Sequence, residues 1–425
     1  MNEALITDVG PVPADWSYPK LGDVLTEGTR NGIYKSKEHH GRGVKVINMG
    51  ELFAFDRIGN QDMQRLELTD QEKDRFLVQD GDLLFARRSL VAEGAGKCSL
   101  VVKPSEETTF ESSIIRARPN QTIVDPRYLA YLFSSRVGRY LMDTILRQVA
   151  VSGITGTDLL ELRVPLPKRG EQGAVADILS SLDEKIELNR KQNRTLEAIA
   201  QALFKRWFME FEFPDENGRP YQSSGGAMQP SELGEIPVGW EVKSLDQIAD
   251  YLNGLALQNF PPEGDEYLPV IKIREMKQGI TANSDKASTK LDPKYIIDDG
   301  DVLFSWSGSL EVDIWCHGKG ALNQHLFKVS SDVYPKWFYY LWTKHHLRAF
   351  QAVAADKATT MGHIQRGHLT NALTVCPPEG LLPQFTETFD PLIEQIIAVR
   401  LEARTLAKLR DTLLPKLMSG ELRVA

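Results

Sequence analysis

The stretch EQGAVADILSSLDEKIELNRKQNRTLEAIAQALFKRWFM, residues 171–209, reads as one long helix around which the rest of the chain is arranged. Leu182, Ile186, Leu196, Ala200, Leu203 and Trp207 recur at alternating steps of four and three, and Asn189 and Asn193 complete the series. That spacing is a coiled-coil seam. Residues 382–418 repeat it with Phe385, Phe389, Leu392, Ile396, Val399, Ala403, Leu406, Leu413 and Leu417, broken only by Arg410. A shift of 210 lays Leu182 on Leu392, Ile186 on Ile396 and Leu196 on Leu406. At about 1.5 Å per residue each helix spans roughly 58 Å. Antiparallel pairing would relate the two halves of the chain by an approximate twofold axis and make the helix pair a ruler.

Working outward, the repeat extends beyond the helices. PADWSYPKLGDVL with Trp16 and Leu21 matches PVGWEVKSLDQIA with Trp240 and Leu245 at an offset of 224. VINMGEL (46–52) matches VIKIREM (270–276), each read as a buried strand leaving into a polar turn. QDGDLLFARRS (79–89) matches DDGDVLFSWSG (298–308), with Asp80, Gly81 and Asp82 over Asp299, Gly300 and Asp301. A turn feeds a short apolar strand whose end launches Arg87 and Arg88 in one copy and Trp306 and Ser307 in the other. DPRYLAYLFSSRVGRYLM (125–142) and VYPKWFYYLWTKHHLRAF (333–350) are amphipathic helices with aromatic cores, and SGITGTDLLELRVPLP (152–167) parallels GHIQRGHLTNALTVCPP (362–378). The Gly-, Pro- and Ser-rich residues 213–237 read as an exposed linker. The expected division is a first domain at 1–168, a helix at 169–210, a linker at 211–236, a second domain at 237–378, a helix at 379–418 and a tail at 419–425. The fold class is α+β: two pseudo-repeated mixed α/β domains separated by two long antiparallel coiled-coil helices.

With 425 residues, 42% hydrophobic and 25% charged, the chain has room for about three cores of ordinary composition. No uncharged apolar run is long enough to cross a bilayer, and the N-terminus lacks a signal-peptide pattern, so a cytoplasmic location is expected. Cys98, Cys316 and Cys376 are odd in number and far apart, which argues against a disulfide framework or a zinc motif. A net charge of −8 disfavours nucleic-acid binding by the chain as a whole, so clustered Lys and Arg must carry any such role. Two similar heads in one chain suit B-DNA, because pseudo-dimers read two half-sites about 34 Å apart. Divergent tips on a common frame would make the half-sites unlike.

The order of parts, the entry at Pro237 to Trp240, the two DGDxLF segments, the Glu171-Gln172 helix start, LFKRWF (203–208), SELGEIP (231–237) and LLPKLMSGEL (413–422) together resemble the specificity subunit of type I restriction-modification systems. The resemblance covers nearly the whole chain. It implies two target-recognition domains separated by spacer helices, working on double-stranded DNA with two adenine methyltransferase subunits and, for cleavage, restriction subunits. It places S-adenosylmethionine, ATP and Mg in those partners and no cofactor in this chain.

The residues agree with a non-catalytic role. NFPPEG (259–264) and VCPPEG (375–380) lack the Asn/Asp-Pro-Pro-aromatic segment that grips a flipped base, and VAEGAGKC (91–98) has Val91 and Cys98 where a phosphate-binding loop needs Gly and Ser or Thr. His39-His40 and His345-His346 have no carboxylate or Cys at ligand spacing, so no metal site is expected.

For DNA contact the first domain offers Arg30, Lys35 and Arg42, then Arg87 and Arg88; the second offers Lys272, Arg274 and Lys286. Such cations neutralise phosphates or read guanine edges, and the competing reading is a solvated loop. Arg87 and Arg88 stand out because they leave a shared strand where the copies differ. Trp306, beside Ser305, is either packing or a base contact. Thr155, Thr360 and Arg366, just before each final strand, are candidates whose competing role is turn formation. Off the seams, Ile199, Phe204 and Phe208 on one helix and Ile397, Leu401 and Leu409 on the other form apolar strips. These are expected to dock the methyltransferase, unless the globular domains fold back over them. The reading from another class is a coiled-coil tether that associates with DNA without sequence preference.

Overall fold

The computed structural model describes residues 5–89, 94–147, 152–356 and 362–424. They fall into two compact units, Met1–Glu184 with Leu406–Ala425, and Lys185–Thr405. The long helices are Arg169–Phe208 and Leu382–Ser419. Within the first unit their ends run antiparallel: Asp183 meets Arg410 at 2.8 Å, and beyond the second helix Arg423 returns to Glu171. The seam's one break is thereby explained, since Arg410 carries an ion pair where a leucine would only pack. Within the second unit the partner number likewise falls as the helix advances. Asn189 donates to Glu402 at 2.9 Å, while Trp207 packs on Phe385 and Phe389 with ring centroids 5.1 and 5.2 Å away. The carbonyl oxygens of Asn189 and Asn193 are buried without a hydrogen-bond partner among the described residues.

The two units repeat one strand frame. In the first, Thr108–Phe110, His40–Ile47 and Arg65–Leu66 form one sheet; the other orders Arg30–Asn31, Ile114–Ala117, Leu83–Ala86, Cys98–Val101 and Arg57–Ile58. The second unit has Lys286–Ala287, Leu268–Ile271, Gly320–Leu322 and Ile296–Ile297 in one sheet, and Asp250–Asn253, Leu326–Ser330, Val302–Ser305 and Glu311–Ile314 in the other. Register matches as well: Phe110 pairs parallel with Ile47, and Leu322 parallel with Ile271. Phe85 lies antiparallel to Ile115, as Phe304 does to Phe327.

The DGD motif is the corner of this frame. Gly81 and Gly300 have φ of +89° and +94°, where a side chain is strained, and each admits the turn into its strand. The second aspartate of each motif accepts from a backbone N–H three residues back, Asp82 from Gln79 at 2.7 Å and Asp301 from Asp298 at 2.8 Å. It also binds a cation on a neighbouring strand or at its end: Arg118 takes Asp82 through two nitrogens at 2.7 and 2.9 Å, and Lys328 takes Asp301 at 2.7 Å.

Three stretches depart from expectation. After the strands, MGEL and IREM continue as helices, Met49–Ala54 and Ile273–Gln278, instead of polar turns. Glu51 and Glu275 cause this, each accepting the backbone N–H of the residue that starts the helix, Asn48 at 2.9 Å and Lys272 at 3.2 Å. The expected helix at 125–142 is two helices, Pro126–Ser134 and Arg136–Ile145. Ser135 caps the second by accepting from the Gly138 N–H at 3.3 Å, and a side chain on Gly138 would meet the Leu132 carbonyl. Its counterpart, without Ser-Ser and Gly, is one helix, Lys336–Asp356. The Gly- and Pro-rich stretch after the first long helix is not simply exposed. Phe213 is buried, stacked between Tyr221 (4.6 Å) and Trp240 (5.1 Å), and a hairpin pairs Met228–Ser231 with Gly234–Pro237. Aromatic burial outweighs the loop-forming composition there.

Candidate nucleic-acid interface

Arg87 and Arg88 leave the strand Leu83–Ala86 at the edge of the first frame. The Arg87 N–H donates to Ser113 O at 2.8 Å, and Arg87 O accepts from Ile154 N at 3.0 Å. In the second unit Trp306 N–H donates to His325 O at 3.3 Å, and Trp306 O accepts from Ile364 N at 2.9 Å. The two backbones are held alike and bear different side chains. Arg87 is half-buried and Arg88 exposed, and neither guanidinium is paired with a described residue.

The other candidate cations of the first domain are engaged. Lys35 binds Glu72 at 2.7 Å, Arg42 binds Glu67 at 2.8 Å, and Arg30 sits 3.6 Å from Glu27. Arg42 is 69% exposed, so its solvent-screened surface pair gives way readily to a phosphate. Lys35, 15% exposed, is the poorer contact. Thr155 starts the helix Gly156–Glu161, accepting from Asp158 N at 3.2 Å, which is the turn-forming role.

In the second domain Lys272, Arg274, Lys286, Ser307, Gln324 and His325 line one cavity of about 810 Å³. Lys272 pairs with Asp285, and Lys286 lies over the Tyr267 ring at 4.1 Å. Arg274 is exposed but anchored: Nε and one Nη bond a single oxygen of the fully buried Glu275 at 2.9 and 2.7 Å. Such an arginine is presented with little freedom left to lose.

Burial corrects the expectation for Ser305, Phe204 and Phe208. Ser305 is fully buried and its hydroxyl is spent on Ser309 O at 2.8 Å and Glu311 N at 2.7 Å, closing the turn after its strand. Trp306 is partly buried and packs, its Nε1 donating to Asn253 Oδ1 at 3.0 Å and Gln324 O at 3.2 Å. Arg366 is exposed, over the Phe327 ring at 5.8 Å, and donates to Tyr251 O at 3.3 Å. Thr360 and its neighbour Thr359 lie outside the described residues. Phe204 and Phe208 are buried against Trp342, Trp337 and Phe338, so they are core residues and no part of an accessible strip. Ile199 and Leu409 remain exposed, at 43% and 46%, while Ile397 and Leu401 are half-buried.

Sequence reasoning missed the turn at residues 323–325, which occupies the place of residues 111–113. It also missed Asn31-Gly32-Ile33 against Asn253-Gly254-Leu255. A side chain on Gly32 would meet Glu111 O at 2.1 Å, and one on Gly254 would meet Asn323 O at 2.3 Å. That shared close approach was the signal available.

A family model for the type I restriction modification DNA specificity domain matches residues 13–198 and 237–372. The chain belongs to that family. It is a type I specificity subunit with two repeated domains. It is 28% identical over 435 residues to the type I restriction enzyme MjaIX specificity subunit of Methanocaldococcus jannaschii, covering 98% of this chain and 96% of that one. It is 23% identical to the HindI specificity subunit of Haemophilus influenzae, covering 96% and 100%. The crystal structure of a type I restriction-modification S subunit from M. genitalium shares the fold at a TM-score of 0.54, with 14% identity over 95% of this chain and 96% of that one.

Among the described residues of the specificity subunit, no group of three His, Cys, Asp or Glu could hold a metal ion, and no helix is long and apolar enough to cross a membrane. The His345-His346 pair is packing. Burial, with His345 beside it, pushes His346 down from 6.5 to about 4, and its Nε2 faces Leu373 O at 2.9 Å. Below pH 6.5 the unfolded chain takes up a proton that the folded one refuses until about pH 4. Stability from this group is therefore complete above pH 6.5 and is lost as pH falls toward 4, by up to about 3 kcal/mol. Chemical unfolding followed at pH 7 and pH 5 should show the slope, and His346→Gln should lessen it, the rest coming from His345 and His317, which burial also lowers. An equal slope in the variant refutes the assignment.

Proposed function

We propose that this specificity subunit reads an asymmetric, bipartite DNA target, one half-site per globular domain (residues 1–168 and 237–378), and performs no chemistry itself. The observation that carries this reading is the shared frame with unlike tips, Arg87-Arg88 and residues 111–113 in one domain, and Ser307 and residues 323–325, beside the packed Trp306, in the other. Common backbone geometry makes the two domains approach DNA alike, and different side chains at the same place make them read different bases. Arg87, Arg88, Arg42, Lys272, Arg274 and Lys286 supply phosphate or guanine contacts. Two adenine methyltransferase subunits dock on the long helices at Ile199, Ile397, Leu401 and Leu409. They bring S-adenosylmethionine; restriction subunits, for cleavage, bring ATP and Mg. The assembly works in the cytoplasm, where its DNA is.

The test is methylome sequencing of cells expressing the chain with its methyltransferase, against cells lacking only the chain. A chain-dependent adenine mark in two unlike half-sites with a fixed spacer is expected. No chain-dependent mark, with the methyltransferase active, would favour a non-specific tether. We further propose that the long helices set the spacer. Inserting one heptad into each, about 10 Å of helix, should lengthen the permitted spacer by about three base pairs. An unchanged spacer in the methylome would rule out the ruler.

A further inference from the structure

The turn joining Gly320–Leu322 to Leu326–Ser330 is Asn323-Gln324-His325, and its backbone is fixed independently of its tips. Gln324 N–H donates to Leu255 O at 2.9 Å, and Gln324 O accepts from Trp306 Nε1 at 3.2 Å. His325 N–H donates to Asn323 Oδ1 at 3.2 Å. Gln324 and His325 line the cavity that Lys272, Arg274 and Lys286 share.

Their mutual bonding fixes what Gln324 offers. His325 Nδ1 lies 3.0 Å from Ser307 Oγ, and His325 Nε2 lies 3.3 Å from the Gln324 amide nitrogen. With the Gln324 amide assigned this way round, its nitrogen donates, so Nε2 accepts and Nδ1–H donates to Ser307. One of the two amide hydrogens is thus spent on the imidazole. One N–H and the amide oxygen remain, and that oxygen makes no hydrogen bond to a described residue. One donor beside one acceptor complements adenine's N7 acceptor and N6 donor in the major groove. The flanking cations supply the phosphate contacts that hold a duplex in register.

We propose that Gln324 is a base-reading residue of the second domain and reads an adenine of its half-site, with His325 and Ser307 orienting the amide. The corresponding turn of the first domain, Glu111-Ser112-Ser113, has no amide, so this preference belongs to one half-site only. The inference rests on the bipartite reading above.

Methylomes of cells carrying the full chain with its methyltransferase, as wild type, Gln324→Ala or Gln324→Glu, test it. Substitution spares the backbone bonds that hold the turn. In the alanine variant, discrimination for adenine at one position of one half-site should fall about tenfold or more, with the other half-site unchanged. In the glutamate variant the same position should shift toward cytosine, whose N4 donor a carboxylate accepts. A motif unchanged in both variants overturns the proposal, and so does a loss that falls equally on all sites. A wild-type methylome without chain-dependent half-sites would instead remove the bipartite reading and the proposal with it.

Discussion

Phe208→Ala should weaken the second unit by about 3–5 kcal/mol, the range for truncating a fully buried aromatic. Phe208 is fully buried at the end of the first long helix, with Trp240, Trp337, Phe338, Trp342 and Phe385 all within 6.1 Å by ring centroid. Trp337 stacks on Phe389 at 4.5 Å, and Trp207 closes the cluster from the same helix. These rings come from the first helix, the second helix and the globular part of the unit, so no single element can collapse to fill the cavity. Six of the seven tryptophans, all but Trp16, belong to the second unit, so tryptophan fluorescence in a denaturant titration reports on this unit. A midpoint shift worth less than about 1 kcal/mol would show that the cluster is loosely packed.

The same cluster shows what the sequence could and could not disclose. Seam spacing alone identified both helices, because a step of four and three survives whatever packs outside it; their antiparallel sense was an assumption that the spacing does not encode. It could not decide whether Phe204 and Phe208 faced a partner or the chain's own domain. That depends on where the helix Lys336–Asp356 lies, and no local pattern encodes it. The duplicated frame was legible through DGD because a positive-φ glycine and a capping aspartate are obligatory at that corner. The candidate tips were legible only as the places where the copies disagree. Arg87 and Arg88 were found in this way. The proposed reader Gln324 was not singled out, because residues 111–113 and 323–325 share no residue, and the frame that equates them appears only when the flanking strands are paired. Ser305 was misplaced by one step: a strand residue three after Val302 points into the turn it closes. The Gly-rich stretch misled for another reason. Composition reports backbone freedom, while Phe211 and Phe213 within and beside it report burial, and in a marginal segment two aromatics win.

The DGD corners make the second large expectation, since equivalent aspartates sit in unequal surroundings. Asp82 is completely buried, while the side chain of Arg118 is 19% exposed. Asp82 holds Arg118 firmly charged through their hydrogen bonds and also binds the Gln79 N–H. Asp82→Ala strips the half-buried Arg118 guanidinium of its bidentate partner, leaving it Glu27 and the Leu77 carbonyl, each at 3.2 Å, and leaves the Gln79 N–H without its acceptor. Removing one member of a buried pair costs about 3–5 kcal/mol, and with Glu27 still paired to Arg118 the low end, about 3 kcal/mol, is expected. The second-unit pair is wetter, with 24% exposure at Asp301 and 21% at Lys328, and a lysine can swing its ammonium to water. Asp301→Ala should therefore cost only about 1.5 kcal/mol, the low end for a hydrogen bond to a charged group. Hydrogen exchange resolves the two locally: Asp82→Ala should accelerate exchange in Leu83–Ala86 and Ile114–Ala117 far more than Asp301→Ala does in Val302–Ser305 and Leu326–Ser330. Equal effects would mean that the backbone cap, common to both corners, dominates. The reverse order would mean that burial of the Arg118 pair stabilises nothing. Because Arg87 continues directly from Leu83–Ala86, loosening that strand should also blur contacts at the first half-site while leaving the second intact.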